Sequence, residues 1–298
     1  MGSERFVVGL VGAGIGTSAS PALHEAEADA LGLRYAYQVL DLDDLGLAAE
    51  EIGELLEAAR RMGFRGLNIT HPCKQLVVDY LDELSPEAVA VGAVNTVVFS
   101  NGRTFGHNTD IFGFEQSFNL GLPNAARKRI VVLGAGGAGA AVAYVALALG
   151  GSELTVIDLD LDRSADLARR LALRFGPGSI RVDAIDKLPQ RMAACDGLIH
   201  ATPTGMRDYP GMPFSPDLLR RELWVADVVY RPLETELLRQ ASELGCRTLD
   251  GGGMAVFQAF ASLSLFTGVA PDAARMMRHF DRTFRESGVA DGVHAPVS

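Results

Sequence analysis

Residues 128–163 constrain this chain more tightly than any other stretch. An apolar run, Arg129-Ile130-Val131-Val132-Leu133, ends on Gly134-Ala135-Gly136-Gly137-Ala138-Gly139, and an alanine-rich run from Ala140 to Leu149 follows. A second apolar run, Leu154-Thr155-Val156-Ile157, closes on Asp158, 24 positions after Gly134. That order predicts strand, glycine turn, helix, strand and acid, the arrangement of a dinucleotide site in a parallel sheet. Gly134 permits the tight turn, Gly136 lets backbone approach a pyrophosphate, and Gly139 lets the helix sit close to the sheet. The pyrophosphate would rest on the N-terminus of a helix starting near Ala138, where free N–H groups and the helix dipole favour an anion. Glycine turns are common, and a purely structural turn is the competing reading. Two flanking strands, a small-residue helix and a placed acid weigh against it.

The 298 residues suggest about two domains and ample material for a core. A net charge of −10 argues against nucleic acid as a partner, since that needs a basic face. Cys73, Cys195 and Cys246 are scattered without a CxxC pair, which fits a reducing compartment and offers no metal-ligand spacing. No basic segment followed by an apolar stretch marks a signal peptide, and no apolar run is long enough for a membrane span. The expectation is a cytoplasmic protein with no membrane partner.

The pattern before residue 110 predicts a first α/β unit. Arg5–Val11, Tyr35–Leu40 and Phe64–Ile69 read as strands, and Pro21–Leu31 as a helix with Ser20 as its N-cap. Asp43–Met62 has helical spacing throughout, and a further helix follows Pro72. Asn101-Gly102 predicts a hairpin between Asn95–Phe99 and Thr104–Gly106. Beyond the glycine turn, strands are expected at 180–182, 197–200, 224–228 and 247–249. Gly251-Gly252-Gly253 then breaks the chain before two closing helices, Met254–Phe266 and Pro271–Arg285. The expected fold is α/β with two domains. Residues 1–110, rejoined by 254–288, form a substrate domain with a mainly parallel sheet. Residues 111–253 form a Rossmann-type domain, and 289–298 a disordered tail.

Another glycine turn, Gly12-Ala13-Gly14-Ile15-Gly16, lies earlier in the chain and competes for the cofactor. Its third glycine falls one position early for GxGxxG, and Asp41 comes 29 residues after Gly12, so no strand-end acid stands at a matching distance. The hydroxyl-rich Thr17-Ser18-Ala19-Ser20 that follows suits a polyol or carboxylate better than a pyrophosphate. Elsewhere, Asn68-Ile69-Thr70-His71-Pro72-Cys73-Lys74, Asn95-Thr96 and Asn108-Thr109-Asp110 gather amides, hydroxyls and charge at strand ends, which line the ligand crevice of an open sheet. Taken singly, each reads equally well as a polar connection. Lys74 and Asp110 are the charge pair among them, and a lysine can take and return an alcohol proton beside an orienting carboxylate.

These motifs resemble the shikimate dehydrogenase family. The match includes Ser18-Ala19-Ser20-Pro21, Asn68 to Lys74, Gly92-Ala93-Val94-Asn95-Thr96, Gly106 to Asp110 and Gly134 to Gly139. It continues through Ala201-Thr202-Pro203-Thr204-Gly205-Met206, Asp227-Val228-Val229-Tyr230 and Gly252 to Gln258. The resemblance implies reversible NAD(P)-linked oxidation of a ring alcohol of shikimate or quinate to the 3-dehydro ketone. It implies Lys74 and Asp110 as the catalytic pair and Ser18 and Ser20 on the substrate carboxylate. Thr70, Asn95 and Gln258 would take ring hydroxyls, with Thr109 and Tyr230 nearby. The Gly134–Gly139 turn, Thr202, Met206, Val229 and Gly253 would border the cofactor.

Where NADP-preferring members carry Asn-Arg-Thr, this chain has Asp158-Leu159-Asp160-Leu161-Asp162-Arg163. An acid at 158 would accept from the ribose 2′-hydroxyl and repel a 2′-phosphate, so NAD is expected over NADP, with Arg163 as a counterweight. That resembles the NAD-linked quinate/shikimate branch. No histidine pair has metal spacing, so no metal is expected. A monomer or homodimer fits equally. The alternatives are an NAD sensor of the same fold without turnover, and a dehydrogenase of an amino-shikimate analogue.

Overall fold

A computed structural model describes residues 5–285; the tail expected to be disordered lies outside them. The first unit runs β1 (Arg5–Gly12), α1 (Ser20–Ala30), β2 (Arg34–Asp41), α2 (Leu42–Leu45), α3 (Ile52–Arg61), β3 (Gly66–Ile69) and α4 (Cys73–Leu76). It continues with β4 (Glu83–Leu84), α5 (Pro86–Val91), β5 (Thr96–Ser100), β6 (Arg103–His107) and α6 (Thr109–Gly121). The second unit runs β7 (Arg129–Leu133), α7 (Gly137–Ala148), β8 (Glu153–Ile157), α8 (Leu161–Phe175), β9 (Ile180–Asp183) and α9 (Leu188–Ala194). Then come β10 (Gly197–His200), β11 (Trp224–Asp227), α10 (Glu236–Leu244) and β12 (Arg247–Leu249), before α11 (Gly252–Thr267) and α12 (Ala273–Phe280).

Two six-stranded sheets result, ordered β2-β1-β3-β5-β6-β4 and β12-β11-β10-β7-β8-β9. The second is parallel throughout, and the first is parallel around β1 and antiparallel through the β5–β6 hairpin. Side-chain alternation explains the layering of the second sheet. Ile130 and Val132 of β7 face a core shared with α6, α7 and α8, while Val131 and Leu133 face one shared with α9 and α10. Strand order reverses at β1 in the first sheet and between β7 and β10 in the second. At such a point the carboxyl ends of neighbouring strands splay and open a crevice. A glycine turn leaves the chain at each.

Several sequence expectations change. The helical spacing of 43–62 is interrupted: Gly46 takes φ 67° and ends α2, and a 3-10 turn at Ala49–Glu51 precedes α3. Ser20 is the first residue of α1 rather than its cap, and Ser18 Oγ accepts from its amide at 3.2 Å. The helix after Pro72 is one turn of α-helix followed by a 3-10 turn. Gly251 caps α11 and Gly252 and Gly253 start it instead of breaking the chain, because small residues are needed where α11 meets α6. A Cβ on Gly253 would lie 2.4 Å from Ser117 Oγ, and one on Gly113 2.7 Å from the Met254 carbonyl oxygen. α5, capped by Ser85, and α9 were not anticipated.

Candidate active site

The Gly134–Gly139 turn has the shape of a dinucleotide cradle. Gly134 takes φ 107°, and a Cβ there would fall 2.6 Å from the Ala201 carbonyl oxygen, so only glycine fits. On Gly139 a Cβ would lie 2.1 Å from the Gly134 oxygen, which fixes how tightly α7 folds back on the strand. Around Gly136 there is open space within 4 Å, and Gly136 caps α7 with no side-chain hydrogen bond. The N-terminus of α7, with Gly137 and Ala138 in its first turn, is thereby presented to an anion.

Asp158 closes the cradle from the end of β8. It accepts from the Ala135 amide at 2.6 Å, the Asp160 amide at 2.9 Å and the Arg163 guanidinium at 2.6 Å. Burial pushes its carboxyl up, but hydrogen bonds from Arg163 and the two amides outweigh that and hold it below the usual range. An ionised carboxylate has about four acceptor positions, and three are used here.

Lys74, one residue into α4, meets Asp110 in the first turn of α6: Nζ lies 2.5 Å from Oδ2, and both side chains are largely buried. Asn108 caps α6 and donates its amide to the Ala93 carbonyl at 2.9 Å, which anchors the helix carrying Asp110. A Cβ on Gly137 would stand 2.9 Å from Lys74 Cδ. The cofactor cradle and the charge pair are therefore in contact.

The neighbouring polar residues form one buried network. Asn95 accepts from the Thr109 amide at 2.7 Å and donates to the Thr109 hydroxyl at 3.0 Å. Asn68 donates to Thr96 at 3.1 Å and accepts from the Tyr37 hydroxyl at 2.9 Å. Burial pushes the Tyr37 hydroxyl up, and a hydrogen bond with Ser20 pulls against it. Thr70 hangs from β1 through its amide on the Val11 carbonyl at 2.8 Å, just before a cis His71–Pro72 bond. Arg231, next to Tyr230, donates to the Thr17 carbonyl and ties the serine loop to the second unit. Gln258 lies on α11 where that helix meets α6, its backbone nitrogen 3.0 Å from a Cβ built on Gly113.

Other expected site residues take different partners. Thr202 bonds to His200, Met206 is 40% exposed on a loop, and the Val229 amide donates to Asp227. Gly253 packs α11 onto α6, a role its motif did not reveal. Asn68, Tyr37, His200 and Asp227 were missed. Asn68 and Asp227 stood inside quoted motifs at strand ends, which was the available signal. His71 is exposed, whereas burial lowers His107. The three cysteines are buried, and burial pushes Cys73 and Cys195 up to about 11. Among the described residues, no group of three or more His, Cys, Asp or Glu could hold a metal, and no helix is long and apolar enough to cross a membrane.

Comparison with known proteins fits this geometry. The family model described as the shikimate dehydrogenase substrate binding domain matches residues 10–97. A shikimate dehydrogenase (NADP(+)) of Streptomyces avermitilis is 57% identical over 277 residues, covering 93% of this chain and 95% of the relative. A quinate/shikimate dehydrogenase (NAD(+)) of Corynebacterium glutamicum is 45% identical over 280 residues, covering 93% and 99%. The solved structure of quinate dehydrogenase from Corynebacterium glutamicum in complex with NAD superposes with a TM-score of 0.86 at 44% identity, covering 93% of this chain and 98% of that one.

Proposed function

The chain belongs to the shikimate dehydrogenase family, and from that premise we propose that it interconverts shikimate or quinate and the corresponding 3-dehydro acid, with NAD as preferred cofactor. The observation that carries the reading is the contact between the Lys74–Asp110 pair, 2.5 Å apart, and the Gly137 backbone at the mouth of the cradle. A ring carbon held over Lys74 would lie beside the mouth of the cradle, within reach of the nicotinamide of a dinucleotide whose pyrophosphate rests on the α7 N-terminus.

In this reading residues 1–110 with 254–288 hold the acid, and 111–253 hold the dinucleotide. The bound nicotinamide supplies the hydride acceptor, and the protein manages the proton. Lys74 Nζ takes the proton of the C3 hydroxyl as the hydride leaves carbon, and returns it to the ketone oxygen in reverse. Asp110 holds and orients the resulting ammonium. Ser18 and Ser20 donate to the substrate carboxylate. Thr70, Gln258 and the second amide hydrogen of Asn95 meet ring hydroxyls, with Thr109 fixing Asn95 and Tyr230 closing the rim.

Support for NAD comes from the strand end alone, because overall identity ranks an NADP(+)-named relative above an NAD(+)-named one. A 2′-hydroxyl can donate to the remaining position on Asp158, whereas a 2′-phosphate would sit beside an ionised carboxylate. Arg163 is already engaged by that carboxylate and would have to leave it to serve a phosphate. Steady-state rates with shikimate and quinate, each against NAD and NADP, test the whole reading. Turnover with at least one acid and a higher kcat/KM for NAD is expected. A clear NADP preference removes the cofactor assignment, and NAD binding without turnover of either acid points to a sensor.

A further inference from the structure

The second sheet contains a buried polar chain that the chemistry above does not use. His200, at the end of β10, is fully buried, with Nδ1 2.9 Å from Asp227 Oδ1 and Nε2 2.5 Å from Thr202 Oγ1. Asp227, at the end of β11, also accepts from the Val229 amide at 3.0 Å and the Thr235 hydroxyl at 2.7 Å. The Thr235 oxygen itself accepts from the Leu238 amide at 3.3 Å as the N-cap of α10, so its hydrogen is the one given to Asp227. The partners of the carboxylate are thus all donors, and Nδ1 must be one as well.

In a neutral ring that requirement fixes the direction of the next bond. A neutral imidazole with its hydrogen on Nδ1 has only a lone pair at Nε2, so the Thr202 hydroxyl donates to it. What remains on the Thr202 oxygen can only accept, and among the described residues the Thr204 amide reaches it at 3.4 Å. Thr202 also lies against the glycine turn, since a Cβ on Gly134 would fall 3.1 Å from Thr202 Cγ2. A free threonine hydroxyl rotates to donate or accept as its partner requires; this one has lost that choice to a buried histidine.

We propose that His200 is a positioning residue of the dinucleotide site. It holds the Thr202 hydroxyl as an acceptor-only group beside the glycine turn, which favours a cofactor hydroxyl or amide N–H there and disfavours an anionic oxygen. The inference rests on reading that turn as the dinucleotide site. A role confined to stability would make His200 matter to folding and not to the cofactor.

The test is titration of NADH fluorescence in the absence of either acid, with urea unfolding alongside, on wild type, Thr202→Val, His200→Leu and the double variant. Each single variant is expected to lose roughly fivefold to tenfold in NADH affinity, the worth of one hydrogen bond. The double variant is expected to lose no more than Thr202→Val alone, because the histidine acts through the threonine. Thr202→Ser, which keeps the hydroxyl, should bind nearly as wild type. If His200→Leu does not fold, His200→Asn replaces it, with the same loss expected. Losses that add in the double variant, or wild-type affinity in Thr202→Val, overturn the proposal while leaving the dehydrogenase reading standing. Wild-type protein that binds neither NADH nor NADPH removes both.

Discussion

Two glycine turns leave the two sheets, each where strand order reverses, and their first residues are built alike. A Cβ on Gly12 would lie 2.4 Å from Thr70 Cγ2, as one on Gly134 would lie 2.6 Å from the Ala201 oxygen; each turn is pressed against the next strand's connection. Each is held by a carboxylate from the neighbouring strand end. Asp41 accepts from Gly14 and Ile15 at 3.0 and 2.7 Å, and Asp158 accepts from Ala135 at 2.6 Å. They diverge in where the next helix starts. α7 begins three residues after Gly134 and offers its N-terminus to the crevice, whereas α1 begins eight residues after Gly12. In the first turn the carboxylate takes two successive amides, and the added residues form the Ser18–Ser20 loop. One scaffold thus yields an open helix N-terminus after one turn and a hydroxyl-rich loop after the other, and Lys74, the proposed acid–base residue, touches the former at Gly137.

That division of labour is broken most directly at Lys74. Lys74→Ala should lower kcat by about 10²–10⁴-fold, the usual contribution of a general acid–base group, while NADH affinity changes little because the α7 N-terminus is untouched. Near-normal kcat would take Lys74 out of the mechanism. A parallel loss of NADH affinity would instead show that the contact with Gly137 serves binding.

A matched pair of substitutions separates the turns themselves. Both Gly136 and Gly16 have nothing within 4 Å of an added Cβ, so alanine should fold at either position. Gly136→Ala is expected to weaken NADH binding by about tenfold or more, since its methyl enters the space a pyrophosphate needs. Gly16→Ala should leave NADH binding unchanged. Equal effects in a fluorescence titration would erase the functional difference between the turns.

The two carboxylates make a finer contrast. Asp158→Ala removes the repulsion of a 2′-phosphate and releases Arg163, and should move the NAD to NADP ratio of kcat/KM by about tenfold toward NADP, or about 1.4 kcal/mol. Asp41→Asn should leave that ratio where it was and raise KM for the acid by loosening the serine loop. A ratio that does not move in Asp158→Ala would assign cofactor choice to other groups.

The region around the second turn was legible because its determinants are local. β7, α7 and β8 follow from a run of periodic apolar residues and glycines whose reasons lie within a few positions. Long-range partners were not legible. The distance rule that set Asp41 aside is satisfied in space, since β1 pairs with β2 in register from Gly12 to Asp41 and places the carboxylate at the turn. Helical spacing across 43–62 could not reveal that Gly46 takes a left-handed conformation. Of the candidate site, the Lys74–Asp110 pair was readable from residue type and strand-end position. The His200–Asp227 chain was not, because it depends on β10 and β11 being neighbours and on burial that a lone histidine does not announce.

The helices that follow the two turns differ in their response to acid. The buried residues of α7 are all apolar and mostly small, whereas α1 buries His24 and Glu27. His24 is enclosed between the Tyr35 hydroxyl, 2.8 Å from Nδ1, and Ser262 Oγ, 3.2 Å from Nε2, and burial lowers its pKa to about 3. In the unfolded chain it titrates near 6.5, so between those values the unfolded state binds the extra proton. The stability that depends on a neutral His24 is complete above about pH 6.5 and is lost as pH falls toward 3. A slope of about 1 kcal/mol per pH unit between roughly pH 6 and 5 is expected from this one site, on the order of the full linkage value. Urea unfolding followed by circular dichroism across that range checks it. His24→Asn should be less stable than wild type near neutrality, since Tyr35 and Ser262 lose their shared partner, and should show a flatter pH dependence. Wild-type and variant curves that fall in parallel would place the acid sensitivity elsewhere, with half-buried His107 the next residue to test, because burial lowers it in the same direction.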